Sequence, residues 1–217
     1  MLKLELSVSK DQPLKVLCLG AHSDDIEIGC GGTVLRLLDE YSNLQIYWIV
    51  FGSGGQRGSE ARKSAKLFLE KAKQKVILIK NFRDSYFPYL GAQVKEYFEQ
   101  LKSEISPDII LTHHRNDLHQ DHRFISDLTW QTFRDNLILE YEIPKYDGDF
   151  GSPNYFVHLD EEICERKILY LMRSFATQKM NHWFNEETFR GILRLRGVES
   201  NAPSKHAEAF YSRKIVC

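Results

Sequence analysis

Two short clusters hold most of the side chains able to do chemistry, His22-Ser23-Asp24-Asp25 and His119-Gln120-Asp121-His122. Imidazole nitrogens and carboxylate oxygens in this mixture suit zinc, whose catalytic sites use three protein ligands and keep one position for water. Adjacent carboxylates in a loop can be aimed differently, so one of Asp24 and Asp25 can ligate a metal while the other accepts a proton from the bound water. His119 and His122, three apart at a helix entrance, can project to one side, one to ligate and the other to steady developing charge. Taken singly the pieces have duller readings. An Asp pair satisfies loop amides or a helix start, and a loop histidine such as His113, His114, His158 or His182 is by default solvent-exposed or hydrogen-bonded. The conjunction of the two clusters is what favours a metal site.

Each cluster follows a short apolar run, which places it where a parallel sheet gathers its ligands, at the carboxyl ends of the strands. Strands are expected at 16–19, 45–51, 76–79, 109–112 and 137–142, alternating with amphipathic helices at 33–40, 59–73, 92–105, 124–135 and 161–175. Ser59 is the expected cap of the second helix, and Ser106-Pro107 stops the third. The alternation predicts an α/β fold. Beyond 175 the pattern assigns no element, and no repeat or linker divides the 217 residues, so a single domain is expected.

Gly29-Cys30-Gly31-Gly32 invites a dinucleotide reading, but the G-x-G-x-x-G fingerprint needs a third glycine where Val34 stands. The tract is read instead as a tight turn that brings the backbone close to the metal site, with Cys30 a small buried thiol. The widely separated cysteines, Cys18, Cys30, Cys164 and Cys217, form no Cys-x-x-Cys pair and read as reduced thiols of a cytoplasmic protein. With 29 basic and 30 acidic residues, the net charge of -1 offers no general attraction for nucleic acid or anionic lipid. No run approaches the roughly 20 apolar residues that span a bilayer, and residues 1–11 lack the apolar centre of a signal peptide. A small-molecule partner is the expectation; self-association is left open.

Taken together, AHSDDIEIGCGGT at 21–33, NDLHQDH at 116–122 and AEAF at 207–210 resemble the LmbE-like, or PIG-L, family of N-acetylglucosaminyl deacetylases. Weaker agreement appears at Glu60-Ala61-Arg62-Lys63, Phe82-Arg83-Asp84 and Ser152-Pro153-Asn154-Tyr155. The resemblance implies a three-layer α/β/α, Rossmann-like fold with a mostly parallel sheet, and zinc-dependent hydrolysis that frees acetate from an amino sugar. By position it implies His22, Asp25 and His122 as metal ligands, Asp24 as general base and a protonated His119 as the stabiliser of the oxyanion. It further implies Asp121 as the carboxylate orienting a neighbouring histidine and Arg62 as a substrate contact. Ser23 and Gln120 replace the family's prolines, and His206 stands where some relatives have a tyrosine that helps hold the oxyanion, so its substrate contact would depend on pH. Two alternatives accompany this reading: hydrolysis of another amide or a thioconjugate on the same scaffold, and a metal-binding module without catalysis.

Overall fold

The computed structural model describes residues 12–216 together with Lys3 and Leu6. Cys217 and the rest of segment 1–11 lie outside the described residues.

A run of apolar side chains with no polar alternation is what a strand covered on both faces requires, and Leu14–Gly20 is such a strand, β1. Its neighbours are β2 (Leu44–Val50), β3 (Gln74–Ile79), β4 (Ile109–His113) and β5 (Leu137–Tyr141), all parallel. Two further strands, β6 (Tyr155–His158) and β7 (Ala207–Ser212), complete a seven-stranded sheet in the order β3-β2-β1-β4-β5-β7-β6, with β7 antiparallel to both neighbours.

Helices α1 (Asp25–Glu40), α2 (Gly55–Phe68), α5 (Glu161–Ser174) and α6 (Glu186–Glu199) pack on one face, α3 (Gly91–Glu104) and α4 (Gln120–Thr132) on the other. Each face buries its own core. Trp48, Phe68, Tyr141 and Phe189 belong to the first, and Phe51, Phe87, Phe98 and Ile125 to the second. This is the expected three-layer arrangement. No helix among the described residues is long and apolar enough to cross a membrane.

The chain leaves β1 toward β2 on one side, while β4 adds on the other, so the strand order reverses between β1 and β4. Loops diverge at such a point and leave a crevice at the carboxyl edge. Both polar clusters open onto it: β1 ends two residues before His22, and β4 ends at His113.

Three expectations are corrected. The glycine tract is not a turn, because α1 begins at Asp25 and runs through it. Its glycines serve packing: a Cβ on Gly29 would stand 2.2 Å from the Tyr141 ring, one on Gly31 2.7 Å from Phe68, and one on Gly32 2.4 Å from Leu159. Helix α2 starts four residues before Ser59, at Gly55 after a Gly54 cap, so Ser59 is inside it. Helix α4 also begins before the expected 124, at Gln120, with His119 its N-cap, which is the helix entrance anticipated for His119 and His122. The stretch beyond 175 contains α6, capped by Asn185 accepting from the Thr188 amide, and β7, while β6 falls between 142 and 161, where no strand is expected. Cys18, Cys30 and Cys164 are buried free thiols, as anticipated.

Candidate metal centre

Helix α1 starts immediately beyond the β1 turn, so its first residue, Asp25, faces the crevice with Asp24 as the N-cap. Asp25 Oδ2 accepts the His22 amide at 2.6 Å, which closes the turn. Across the crevice, α4 presents His122 one helical turn from its cap.

Three side chains converge. His22 Nδ1 lies 3.1 Å from His122 Nε2 and 3.5 Å from Asp25 Oδ2, and His122 Nε2 lies 3.6 Å from Asp25 Oδ1. Ligand atoms about 2.0–2.2 Å from a tetrahedral zinc stand about 3.3–3.6 Å apart, and the three residues stand near this spacing, His22 to one oxygen of Asp25 and His122 to the other. Other combinations are also in reach, notably His22 with His119 and His122, and Asp25 with His113 and His122. The residues fit a divalent ion.

The protonation states suit ligation. Burial, reinforced by His113, lowers His122 to about 3, against the pull of Asp25 and Asp117, which leaves it the neutral base a metal requires. Burial opposes the charge on Asp25, yet His122, His113 and His22 hold its carboxyl well below the usual range. At His22 burial favours the neutral ring, but Asp25, Asp121 and Asp84 outweigh it and keep the ring protonated, a preference an incoming cation must displace.

Carboxylates behind the ligands fix their orientation. Asp117 Oδ2 is 2.9 Å from His122 Nδ1, its Oδ1 accepts the His119 amide at 2.8 Å, and Lys145 Nζ is 3.0 Å from Oδ2. Asp121 takes the amides of Ser85 and Phe87 at 2.7 and 3.1 Å and sits 3.3 Å from His22 Nε2. The histidine beside Asp121 in space is therefore His22, a hundred residues away, while His122 is steadied by Asp117. Asp84 Oδ1 also stands 3.3 Å from His22 Nε2. Such partners set ring angle and tautomer.

Asp24 differs from Asp25. One oxygen is 3.5 Å from Ser23 Oγ and 3.8 Å from Arg57 Nη2; the other is buried with no partner. Burial, then the charge of Asp25, raises its carboxyl to about 6 against the opposing pull of Arg57 and His22. His119 Nδ1 accepts the Asp121 amide at 3.3 Å, so the remaining proton belongs on Nε2. Burial and the nearby His22 charge lower its pKa, so the ring is neutral at pH 7 rather than protonated.

Two anticipated contacts are elsewhere. Arg62 is exposed on α2, lining a shallow groove with Ser53, Lys66 and Asn81. The arginine that reaches the centre is Arg57, whose Nη1 is 2.8 Å from Asp84 Oδ2 and whose Nε donates to Ser23 Oγ at 3.2 Å. His206, just before β7, pairs with Glu161 at 3.4 Å on the α5 entrance.

His113, given a bland reading in the sequence, is wholly buried, with Nε2 3.1 Å from Asp25 Oδ2 and its ring stacked on His122 at 4.0 Å. Asp117, Arg57 and Asp84 were also missed. For Asp117 the signal was present, a second carboxylate in NDLHQDH; for Arg57 and Asp84 only the fold brings separate loops together.

A family model described as PIG-L, GlcNAc-PI de-N-acetylase, matches residues 17–133. The uncharacterized deacetylase YaiS of Escherichia coli (strain K12) is 28% identical over 169 residues, 73% of this chain and 89% of that protein. N,N'-diacetylchitobiose deacetylase from Pyrococcus horikoshii superposes with a TM-score of 0.69 at 22% identity, covering 94% of this chain and 85% of that one. GalB, the 4-carboxy-2-hydroxymuconate hydratase of Pseudomonas putida KT2440, superposes at 0.74 with 14% identity over 94% and 97% of the two chains. The matched stretch runs from within β1 to just past α4, spanning both halves of the ligand triangle, and on that match the chain belongs to the PIG-L family.

Proposed function

We propose that this protein is a zinc-dependent N-deacetylase that releases acetate from an N-acetylated amino sugar of the N-acetylglucosamine type, free or conjugated. The observation that carries the reading is the pairing of a ligand-sized triangle, His22, Asp25 and His122, with a buried carboxylate beside it, Asp24, that has one oxygen unpartnered. A structural zinc site is ordinarily closed by protein ligands, and a spare carboxylate at its side has no purpose there. The family membership and the deacetylase relatives support the same chemistry. The hydratase with this fold is a reminder that architecture alone does not select a reaction.

When bound, zinc supplies Lewis acidity, making a water acidic near neutral pH and polarising the amide carbonyl. The chain's own groups do the rest. Asp24, ionised above about 6, accepts the proton of the attacking water and hands one to the departing amine. His119, held by the Asp121 amide so that Nε2 carries the hydrogen, donates to the carbonyl oxygen as it gains charge. Arg57 holds the loop of Asp84 against Ser23 and tempers the charge of Asp24. Arg62, on the groove with Ser53 and Asn81, is assigned to a part of the substrate beyond the acetamide, whereas His206, engaged with Glu161 at the entrance of α5, is given no contact with it.

The test is an acetate-release assay against N-acetylated amino sugars, sugar nucleotides and glycoconjugates, with chelated and zinc-restored protein. Zinc-dependent acetate release from at least one of them supports the reading. Release of no acetate from any member of the panel, with zinc at full occupancy, removes it. In the same assay Arg62→Ala should raise KM on the true substrate, and an unchanged KM takes Arg62 out of the substrate path.

A further inference from the structure

The AEAF stretch takes no part in the chemistry above, yet its glutamate is among the most tightly engaged side chains in the fold. Glu208 is buried, and its Oε1 accepts the Gly32 amide at 2.7 Å and Lys167 Nζ at 2.6 Å. Its Oε2 accepts both the amide and the hydroxyl of Thr33 at 2.6 Å. Gly32 and Thr33 lie in the interior of α1, where an amide ordinarily donates to the carbonyl four residues earlier. For Gly32 that carbonyl belongs to Ile28, and it also accepts Lys167 Nζ at 2.6 Å. A buried ion pair is thus inserted against backbone groups in the interior of the helix that begins at Asp25 with Asp24 as its cap.

Room for the insertion comes from the glycine tract. A Cβ on Gly32 would stand 2.9 Å from Glu208 Oε1 and 2.4 Å from Leu159, so a larger residue would push the carboxylate off the amide. The path to the centre is short: the Ile28 amide donates to the Asp24 carbonyl at 3.0 Å, and the Ile28 carbonyl is the one Lys167 holds. The next residue, Gly29, rests on the ring of Tyr141, whose hydroxyl is 3.3 Å from His113.

We propose that Lys167 and Glu208 are positioning residues for the proposed deacetylase centre, holding the first turns of α1 so that Asp25 meets His22 and His122 and Asp24 faces the reacting water. Burying two opposite charges confers little net stability; its use here is geometric, because misplacing a reacting group by about 1 Å can lower a rate on the order of a hundredfold. This inference rests on the functional reading above, so its test includes zinc affinity, which needs no substrate.

The variant is the neutral pair Lys167→Met/Glu208→Gln, which removes both charges together and releases the Ile28 carbonyl from Lys167. Ile138→Val, which trims the core on the opposite face of the sheet, serves as a control that lowers Tm without touching α1. We expect zinc Kd to weaken about 10-fold or more and kcat to fall by at least as much at saturating zinc with KM within about twofold. The control should leave all three unchanged. Should the double variant fail to fold, Thr33→Val removes one donor to Glu208 and should shift zinc Kd and kcat in the same direction by a smaller factor. Zinc Kd and kcat equal to those of the unaltered protein in whichever variant folds would overturn the proposal. An unaltered protein that binds zinc and releases no acetate would count against the functional reading alone, since zinc Kd still reports on the positioning.

Discussion

Asp24 and Asp25 are chemically identical and adjacent, and their surroundings assign them opposite work. Three imidazoles crowd Asp25 and keep it ionised, whereas Asp24 has one distant arginine and an oxygen with no partner. Asp24→Asn should therefore keep zinc at full occupancy by metal analysis while losing on the order of 10² to 10⁴ in rate. His122→Ala should lose both metal and activity. The pH dependence follows with its sign: the base works ionised, so the rate falls as pH drops through the pKa of Asp24. That value is about 6 without a cation and lower with one at Asp25. Arg57 is among the groups that lower it, so Arg57→Gln should move the acid limb of kcat/KM to higher pH. A limb that stays in place or moves down would show that Arg57 does not act on Asp24.

Among the elements, strands and helices follow from apolar periodicity, which is why the five parallel strands were legible within a few residues and the helices between them in type and order, though not at every boundary. The misplaced starts share one cause. Helices α1, α2 and α4 each begin inside stretches rich in Gly, Ser, Asp and His, which local propensity assigns to turns. Tertiary packing overrides that preference, most clearly where Gly29 must lie against Tyr141. The proximity of His22, Asp25 and His122 was readable from motifs whose members sit close in sequence. Arg57, Asp84 and His113 were not, because the start of α2, the loop after β3 and the end of β4 meet only in the fold. Two glycine substitutions separate packing from propensity. Gly29→Ala should overpack the Tyr141 contact and destabilise by about 1–3 kcal/mol. Gly191→Ala in α6, where a new Cβ meets nothing within 4 Å, should stabilise by about 0.8–1.0 kcal/mol. Thermal melts of the zinc-free proteins check both, and similar Tm changes of the same sign would refute the distinction.

For the whole molecule, a ligand that binds only the folded state stabilises it by mass action. Zinc at about 100 times its Kd should add about 2.7 kcal/mol, so chelation should lower Tm and excess zinc restore it. A melt indifferent to chelator would mean that no metal is held in the native state. The restoring effect should vanish in His122→Ala, which locates the ion at the triangle rather than on a surface histidine.

The atoms of His22 and His122 that meet at 3.1 Å are separated by 100 positions along the chain. An ion gripped by both ties the opening strand of the sheet to a helix that arrives only after two β-α units have been laid down between them. Its grip therefore depends on the long-range topology being complete: a newly made or refolding chain has no such cage until β4 has settled beside β1, and metal capture becomes a signature of finished assembly rather than a seed for it.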